Sequence, residues 1–293
     1  MADASTPFAM AIHGGAGARR SRDYSAQLRQ LSELIALGRE RLAAGDSALD
    51  AAVEVVAELE TSGLFVAGRG SAPNSAGLFE LDASLMDGST GRAGAVAALQ
   101  GFRHPIRVAR AVMEQTSHVM LAGDGAAEFA RAGRLEPIGD PATWFTGFEQ
   151  ARGLAAPERP HGTVGCVALD REGRLAAATS TGGTVGKLFG RVGDSPLIGA
   201  GTWADGDVAV SCTGVGEYFI RTAAAAQVGL RVRLAGQRLD EASEAALAET
   251  KARGGDGGLI AIDRHGRIAM PFNTEGMARA ALHSDGRITV EVF

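Results

Sequence analysis

Thr163 and Thr181 are the two residues around which chemistry can be organised. Between them, Leu169-Asp170-Arg171-Glu172-Gly173-Arg174-Leu175 reads as a hairpin with a short Asp/Gly turn. If Asp170 pairs with Arg174, Thr163 lies directly across from Thr181 on the same face, with Cβ atoms about 4.5–5.5 Å apart. β propensity alone also favours such a pair. What distinguishes it is place: Thr163 opens its strand just after Pro157, Pro160 and Gly162. A chain cut between Gly162 and Thr163 would leave a threonine carrying its own base. A hydroxyl is a weak nucleophile, but an α-amine on the same residue, with a pKa of about 7.7–8.0, can take its proton near neutral pH.

Two further groups have spacings that suit this chemistry. The glycine-rich loop over 182–206 contains Arg191-Val192-Gly193-Asp194. A guanidinium and a carboxylate three residues apart can grip a zwitterion, the fork on an α-carboxylate and the carboxylate on an α-ammonium, or can simply pair with each other. Downstream, 207–213 alternates as a strand and passes through Thr213-Gly214-Val215-Gly216 into a helix beginning near Glu217. Outward backbone N–H groups at such a turn, with the Thr213 hydroxyl, are suited to an oxyanion, although a plain glycine turn reads the same way.

The elements that must hold these groups follow from patterning. Residues 8–12 form a short apolar strand running into a glycine turn over 13–18. Leu28, Leu31, Ile35 and Leu42 fall at helical spacing, as do Leu49, Val53, Val56 and Leu59 after an Asp46 cap. Strands are expected over 78–85 and 93–99, and helices over 105–115 and 123–132. From 133 to 162 the pattern gives way to prolines and polar residues, which reads as a surface connection. Two more Asp/Gly hairpins, around Asp263-Arg264-His265-Gly266-Arg267 and Ser284-Asp285-Gly286-Arg287, make the second half largely antiparallel sheet, with helices near 217–228 and 239–252. The sum is one layered α/β/β/α domain over 1–293.

Composition narrows the function classes. The chain has 293 residues with a net charge of −5, which argues against a nucleic-acid partner. Its 41 glycines imply many tight turns or close backbone approaches. Cys166 and Cys212 are too few for a disulfide framework, and no export signal or membrane span is legible, so a cytoplasmic setting is expected. A dinucleotide reading of Gly14-Gly15-Ala16-Gly17 fails at Arg20, and a phosphate-loop reading of Gly186-Lys187 fails at Leu188. The six histidines are scattered without zinc spacing, and Gly-x-Ser-x-Gly is absent. No catalytic cofactor or metal is expected.

Taken in order, the segments resemble the isoaspartyl peptidase/L-asparaginase family, the plant-type asparaginases of the N-terminal nucleophile hydrolases. The likeness runs from Ala11-Ile12-His13-Gly14-Gly15-Ala16-Gly17 through Phe65-Val66-Ala67-Gly68-Arg69-Gly70 and Glu80-Leu81-Asp82-Ala83-Ser84-Leu85-Met86-Asp87-Gly88. It continues in Gly162-Thr163-Val164-Gly165, Ala178-Thr179-Ser180-Thr181-Gly182-Gly183, Gly190-Arg191-Val192-Gly193-Asp194-Ser195-Pro196 and Ser211-Cys212-Thr213-Gly214. The resemblance implies a four-layer αββα sandwich made as a precursor and cut between Gly162 and Thr163 into an α chain, 1–162, and a β chain, 163–293. Thr163 would be the nucleophile and Thr181 its aide. Arg191 and Asp194 would hold the substrate's α-groups, and Thr213 with Gly214 would form the oxyanion hole. The substrate would be the side-chain amide of L-asparagine or the isopeptide bond of a β-aspartyl dipeptide.

The family also implies a homodimer of processed αβ units, which the apolar helical faces at 28–35 and 53–59 permit. In some relatives a structural sodium sits on backbone carbonyls of the loop matching 59–69. Gly162 fits the asparaginase branch, where glycosylasparaginases carry Asp, so maturation is expected to be slow. Val66 departs from the Asn often found there, which puts a side-chain hydrogen bond near the threonine in question. Two alternatives remain: a glycosylasparaginase-like amidase, or an uncut, non-catalytic binding protein for aspartate-type amino acids.

Overall fold

A computed structural model describes residues 7–146 and 162–293. It is a mixed α/β fold with two sheets. The larger runs β12-β11-β1-β5-β6-β2-β3-β4 and the smaller β10-β9-β8-β7. In the larger sheet β1 (Ala9–Ala16), β2 (Leu81–Asp87) and β3 (Ala93–Leu99) interleave with β5 (Val164–Leu169), β6 (Leu175–Thr181), β11 (Met277–Leu282) and β12 (Ile288–Glu291). Only the edge strand β4 (Met120–Ala122) runs parallel to its neighbour. The smaller sheet contains β7 (Thr202–Ala204), β8 (Val208–Gly214), β9 (Gly257–Asp263) and β10 (Ile268–Ala269).

Period-two alternation gives each strand two different neighbours. Met10 and Ile12 of β1 face the helices α1 (Ser25–Ala44) and α2 (Ala48–Ser62), packing in one cluster with Leu31, Ile35, Val53 and Leu59. Ala9 and Ala11 face the other sheet, in a cluster with Val167, Ala177, Ala209, Ile260 and Ile262. Val208, Val210 and Cys212 of β8 pack outward against α6 (Gly216–Thr222), α7 (Ala224–Ala235) and α8 (Leu239–Ala252). The other α-helices among the described residues are α3 (Pro105–Gln115), α4 (Gly123–Ala132) and the short α5 (Pro141–Trp144).

The Asp/Gly hairpins are held by their own carboxylates. Asp170 Oδ1 accepts the N–H groups of Glu172 and Arg174, while its Oδ2 accepts Arg174 Nε–H and the Ala48 N–H at the start of α2. Asp263 repeats the arrangement with His265 and Arg267. The register of Leu169 with Leu175 is the one expected from the sequence, and the other two expected hairpins pair Ile262 with Ile268 and Leu282 with Ile288.

Several local expectations are corrected. The 13–18 segment continues β1 through Ala16 with a bulge between His13 and Ala16, because Gly15 at φ 107° supplies a conformation that lets the strand bend without ending. The cap of α2 is Ser47, which accepts the Asp50 N–H, while Asp46 pairs with Arg41. The helix expected over 217–228 is two helices broken at Ala223, which is left-handed at φ 49°. The strand expected from 78 begins at Leu81, and β4 and α5 were not expected. Residues 147–161, half of the 133–162 connection, lie outside the described residues. The apolar faces of α1 and α2 offered for subunit pairing are occupied within the chain: Leu31, Ile35, Val53, Val56 and Leu59 are buried against the larger sheet. Cys166 and Cys212 are free and buried.

Candidate active site

One cleft is lined by Gly162, Thr163, Thr181, Arg191, Asp194 and Gly214, together with Gly183, Thr184, Gly193 and Ser195. Thr163 stands one residue before β5, whose pairing of Val164 with Ser180 sets it opposite Thr181. No hydrogen bond joins the two hydroxyls among those described. Instead, Thr181 Oγ1 donates to the Gly162 carbonyl at 2.7 Å and accepts the Gly183 N–H at 2.9 Å. That carbonyl belongs to the Gly162–Thr163 peptide bond, so the donor draws electron density from the bond beside the threonine. Thr163 Oγ1 lies 3.4 Å from Ser195 Oγ.

Gly162 is fitted to its neighbour. A Cβ there would lie 2.9 Å from Val66 Cβ, so glycine at 162 and valine at 66 are mutually adjusted. The backbone of the same loop reaches the site, the Val66 carbonyl accepting the Gly182 N–H at 2.8 Å.

Arg191 and Asp194 share the cleft but are not paired with each other. Arg191 makes a forked ion pair with Glu217, Nε to Oε1 at 2.9 Å and an Nη to Oε2 at 3.0 Å. Asp194 is buried, its Oδ2 has no hydrogen-bond partner, and burial raises its pKa to about 7. A buried carboxylate without a partner is costly until a cation or donor meets it. The loop carrying both residues is anchored below. Lys187 Nζ donates to the Glu80 carbonyl at 2.8 Å and lies 3.9 Å from Asp82 Oδ2, while the Glu80 carboxylate accepts from Gly190 N–H and Asn74 Nδ2. Burial pushes Lys187 downward and Asp82 upward against their mutual attraction.

Thr213 is buried beside Gly214, and its hydroxyl accepts the Ala16 N–H at 3.3 Å. The Val215 N–H, part of the turn expected to point outward, is engaged by the Asp256 carbonyl at 2.9 Å, which removes it as an oxyanion donor. Sequence reasoning did not assign roles to Ser195 or Glu217. Ser195 adjoins the Arg191–Asp194 motif, which is a signal of position only; Glu217 reaches Arg191 across 26 positions and leaves none. Among the described residues no group of three or more His, Cys, Asp or Glu side chains could hold a metal ion, and no helix is long and apolar enough to cross a membrane.

Residues 6–292 match the family described as asparaginase. The chain is 47% identical to an isoaspartyl peptidase of Escherichia coli, over 92% of this chain and 91% of that protein. It is 41% identical to a plant-type L-asparaginase of Pyrobaculum calidifontis, over 92% and 95%, and 37% identical to a probable isoaspartyl peptidase/L-asparaginase of Arabidopsis thaliana, over 98% and 99%. The chain belongs to the asparaginase family and is an enzyme of that type.

Proposed function

We propose that this chain is the precursor of a threonine hydrolase that cleaves the side-chain amide of L-asparagine and the isopeptide bond of β-aspartyl dipeptides. In this reading it is one αββα sandwich of the N-terminal nucleophile hydrolase type. The observation that carries the proposal is the 2.7 Å bond from Thr181 Oγ1 to the Gly162 carbonyl, in a cleft that also holds Thr163, Arg191 and Asp194, whose Oδ2 has no partner.

Maturation begins when Thr163 Oγ attacks the Gly162 carbonyl carbon, forming an ester as the peptide C–N bond breaks and the nitrogen takes a proton. Water then splits the ester, leaving a Gly162 carboxylate and a free Thr163 amine. In turnover that amine accepts the Thr163 hydroxyl proton as Oγ attacks the substrate β-carbonyl, and passes it to the departing ammonia or amino acid. Water hydrolyses the β-aspartyl ester. Asp194 receives the α-ammonium, Arg191 exchanges Glu217 for the α-carboxylate, and Thr213 with Gly214 faces the developing oxyanion.

A structural sodium belongs to the same reading. Among the described hydrogen bonds the Gly63 and Phe65 carbonyls each accept one donor, from Thr146 Oγ1 and from the Ala67 N–H, and keep a second lone pair for a cation. No catalytic step runs through it, and its removal is expected to lower the melting temperature. Processed αβ units are expected to pair as a homodimer, measurable by sedimentation.

Mass measurement of purified protein tests the central claim. Fragments 1–162 and 163–293 are expected together with release of ammonia from asparagine. The Thr163→Ala variant should remain whole and inactive; cleavage or normal turnover by that variant would overturn the assignment. A whole wild-type chain that binds aspartate without turnover would favour the binding-protein alternative, and preference for sugar-linked asparagine the glycosylasparaginase one.

A further inference from the structure

The segment that joins Thr181 to Arg191 is fastened at two points to Glu80 and Asp82, at the start of β2. These carboxylates are two residues apart, so the strand period puts them on one face, and Asp82 pairs directly with Thr181 of β6. At the first point the Gly190 N–H meets the Glu80 carboxylate at 3.0 Å, and Arg191 follows. At the second the fastening is Lys187. Its carbonyl accepts the Ser75 N–H at 2.7 Å, which holds its backbone, and its side chain runs inward until none of it is exposed. Lys187 Nζ donates to the Glu80 carbonyl at 2.8 Å and lies 3.9 Å from Asp82 Oδ2. That oxygen is buried and has no hydrogen-bond partner.

Both partners are locked in place. Asp82 Oδ1 accepts the Ala98 N–H at 2.7 Å, where β3 bulges and Ala98 is left-handed at φ 51°. The lysine stem lies against Gly183: a Cβ there would stand 2.7 Å from Lys187 Cδ and 3.0 Å from Nζ, and Gly183 itself is left-handed at φ 78°. Gly183 in turn governs Thr181. Its N–H donates to Thr181 Oγ1 at 2.9 Å, and the single hydroxyl proton goes to the Gly162 carbonyl at 2.7 Å. Exchanging a buried ion pair for uncharged groups of similar volume is often neutral for stability, which leaves position as what this pair can contribute.

We infer that Lys187 and Asp82 are positioning residues for the threonine chemistry. The Lys187 ammonium, drawn between Asp82 and the Glu80 carbonyl, holds Gly183 where its N–H orients the Thr181 hydroxyl toward the Gly162–Thr163 bond. Neither residue touches that bond or the substrate; both act through Gly183, and their role rests on the function proposed above.

The double variant Asp82→Asn/Lys187→Met separates position from stability. It removes both charges and strands neither, and Asn keeps an oxygen for the Ala98 N–H, so its melting temperature should stay close to that of wild type. Cutting between Gly162 and Thr163 needs no substrate, so its rate reads Thr181 apart from Arg191 and Asp194. That rate is expected to fall by on the order of tenfold to a hundredfold, the scale of a small misplacement at a reacting centre. The Gly183 amide, released from its clamp, should exchange its hydrogen about tenfold faster. Lys187→Met alone strands the Asp82 carboxylate and should lower the melting temperature as well, which adding Asp82→Asn restores without restoring the cutting rate. A double variant that cuts itself at the wild-type rate, or keeps wild-type protection at Gly183, would overturn the inference. If the double variant does not fold, Asp82→Asn alone is read in the same two ways. A wild-type chain that is neither cut nor active defeats the proposed function instead, and exchange at Gly183 still decides for or against the clamp.

Discussion

At one end of the layer between the two sheets, Ala9, Ala11, Val167, Leu169, Leu175, Ala177, Ala209 and Ile260 meet as an apolar contact. At the other end the same strands, on the same face, present His13, Gly165, Thr179 and Ser211, and then Thr163, Thr181 and Thr213. The difference lies in two or three inward positions per strand. Apolar packing tolerates small shifts in how the sheets lie on each other. A run of single-proton hydroxyls does not, because each contact depends on distance and on which partner donates. The apolar end therefore supplies adhesion, and the polar end sets the alignment at which the cleft closes.

Substitutions can separate the two ends. The largest effect is expected from Asp194→Asn. The unfolded carboxyl ionises near pH 3.9 and the folded one near 7, so folding takes up a proton between those values. Wild-type stability should fall as pH rises from about 4 to 7 and level off above. Asn escapes this cost, gaining on the order of 4 kcal/mol at pH 8 relative to acid pH while losing affinity for the substrate ammonium. Melting temperatures across that range and KM for asparagine check both halves. Thr213→Ala comes next: loss of the proposed oxyanion donor should raise the barrier by about 2.7–4 kcal/mol, read as kcat, while the Ala16 N–H it leaves without an acceptor lowers stability by about 1–3 kcal/mol.

At the apolar end, Ile260→Val should cost about 0.5–1.5 kcal/mol in denaturant titrations and leave kcat as it was. A change in kcat there would show that the two ends are not separable. The smallest effect is expected from Glu217→Gln. Removing the carboxylate frees Arg191 for the substrate, at a gain of up to about 1 kcal/mol for a half-exposed pair, read as a KM lowered by up to about fivefold.

Much of the frame was legible because it is set by neighbours in sequence. Leucine spacing located α1 and α2, and the Asp170 turn set the register that brings Thr163 opposite Thr181. Gly14 and Gly15 read as a turn because glycine allows one, whereas pairing with β11, resumed at Ala16 with Met277, keeps the strand going. The break at Ala223 leaves no trace in an alanine-rich helix. Ser195, Glu217 and the His13 row escaped for a different reason: they meet only after two sheets stack, and residues 198 positions apart, such as His13 and Ser211, share no local pattern.

The order of strands in the larger sheet bears on what a cut after Gly162 would do. Strands from before the cut and after it alternate, with β1 lying between β11 and β5, and β6 against β2. Neither piece could leave without stripping ladder hydrogen bonds from both sides of the other, so the pieces should travel together through purification. Once denatured they would have to find each other again as separate molecules, a bimolecular search where the uncut chain had a tethered one. Recovery from heat or urea should accordingly depend on protein concentration for the mature enzyme and not for Thr163→Ala, which makes scission a one-way commitment to the folded state.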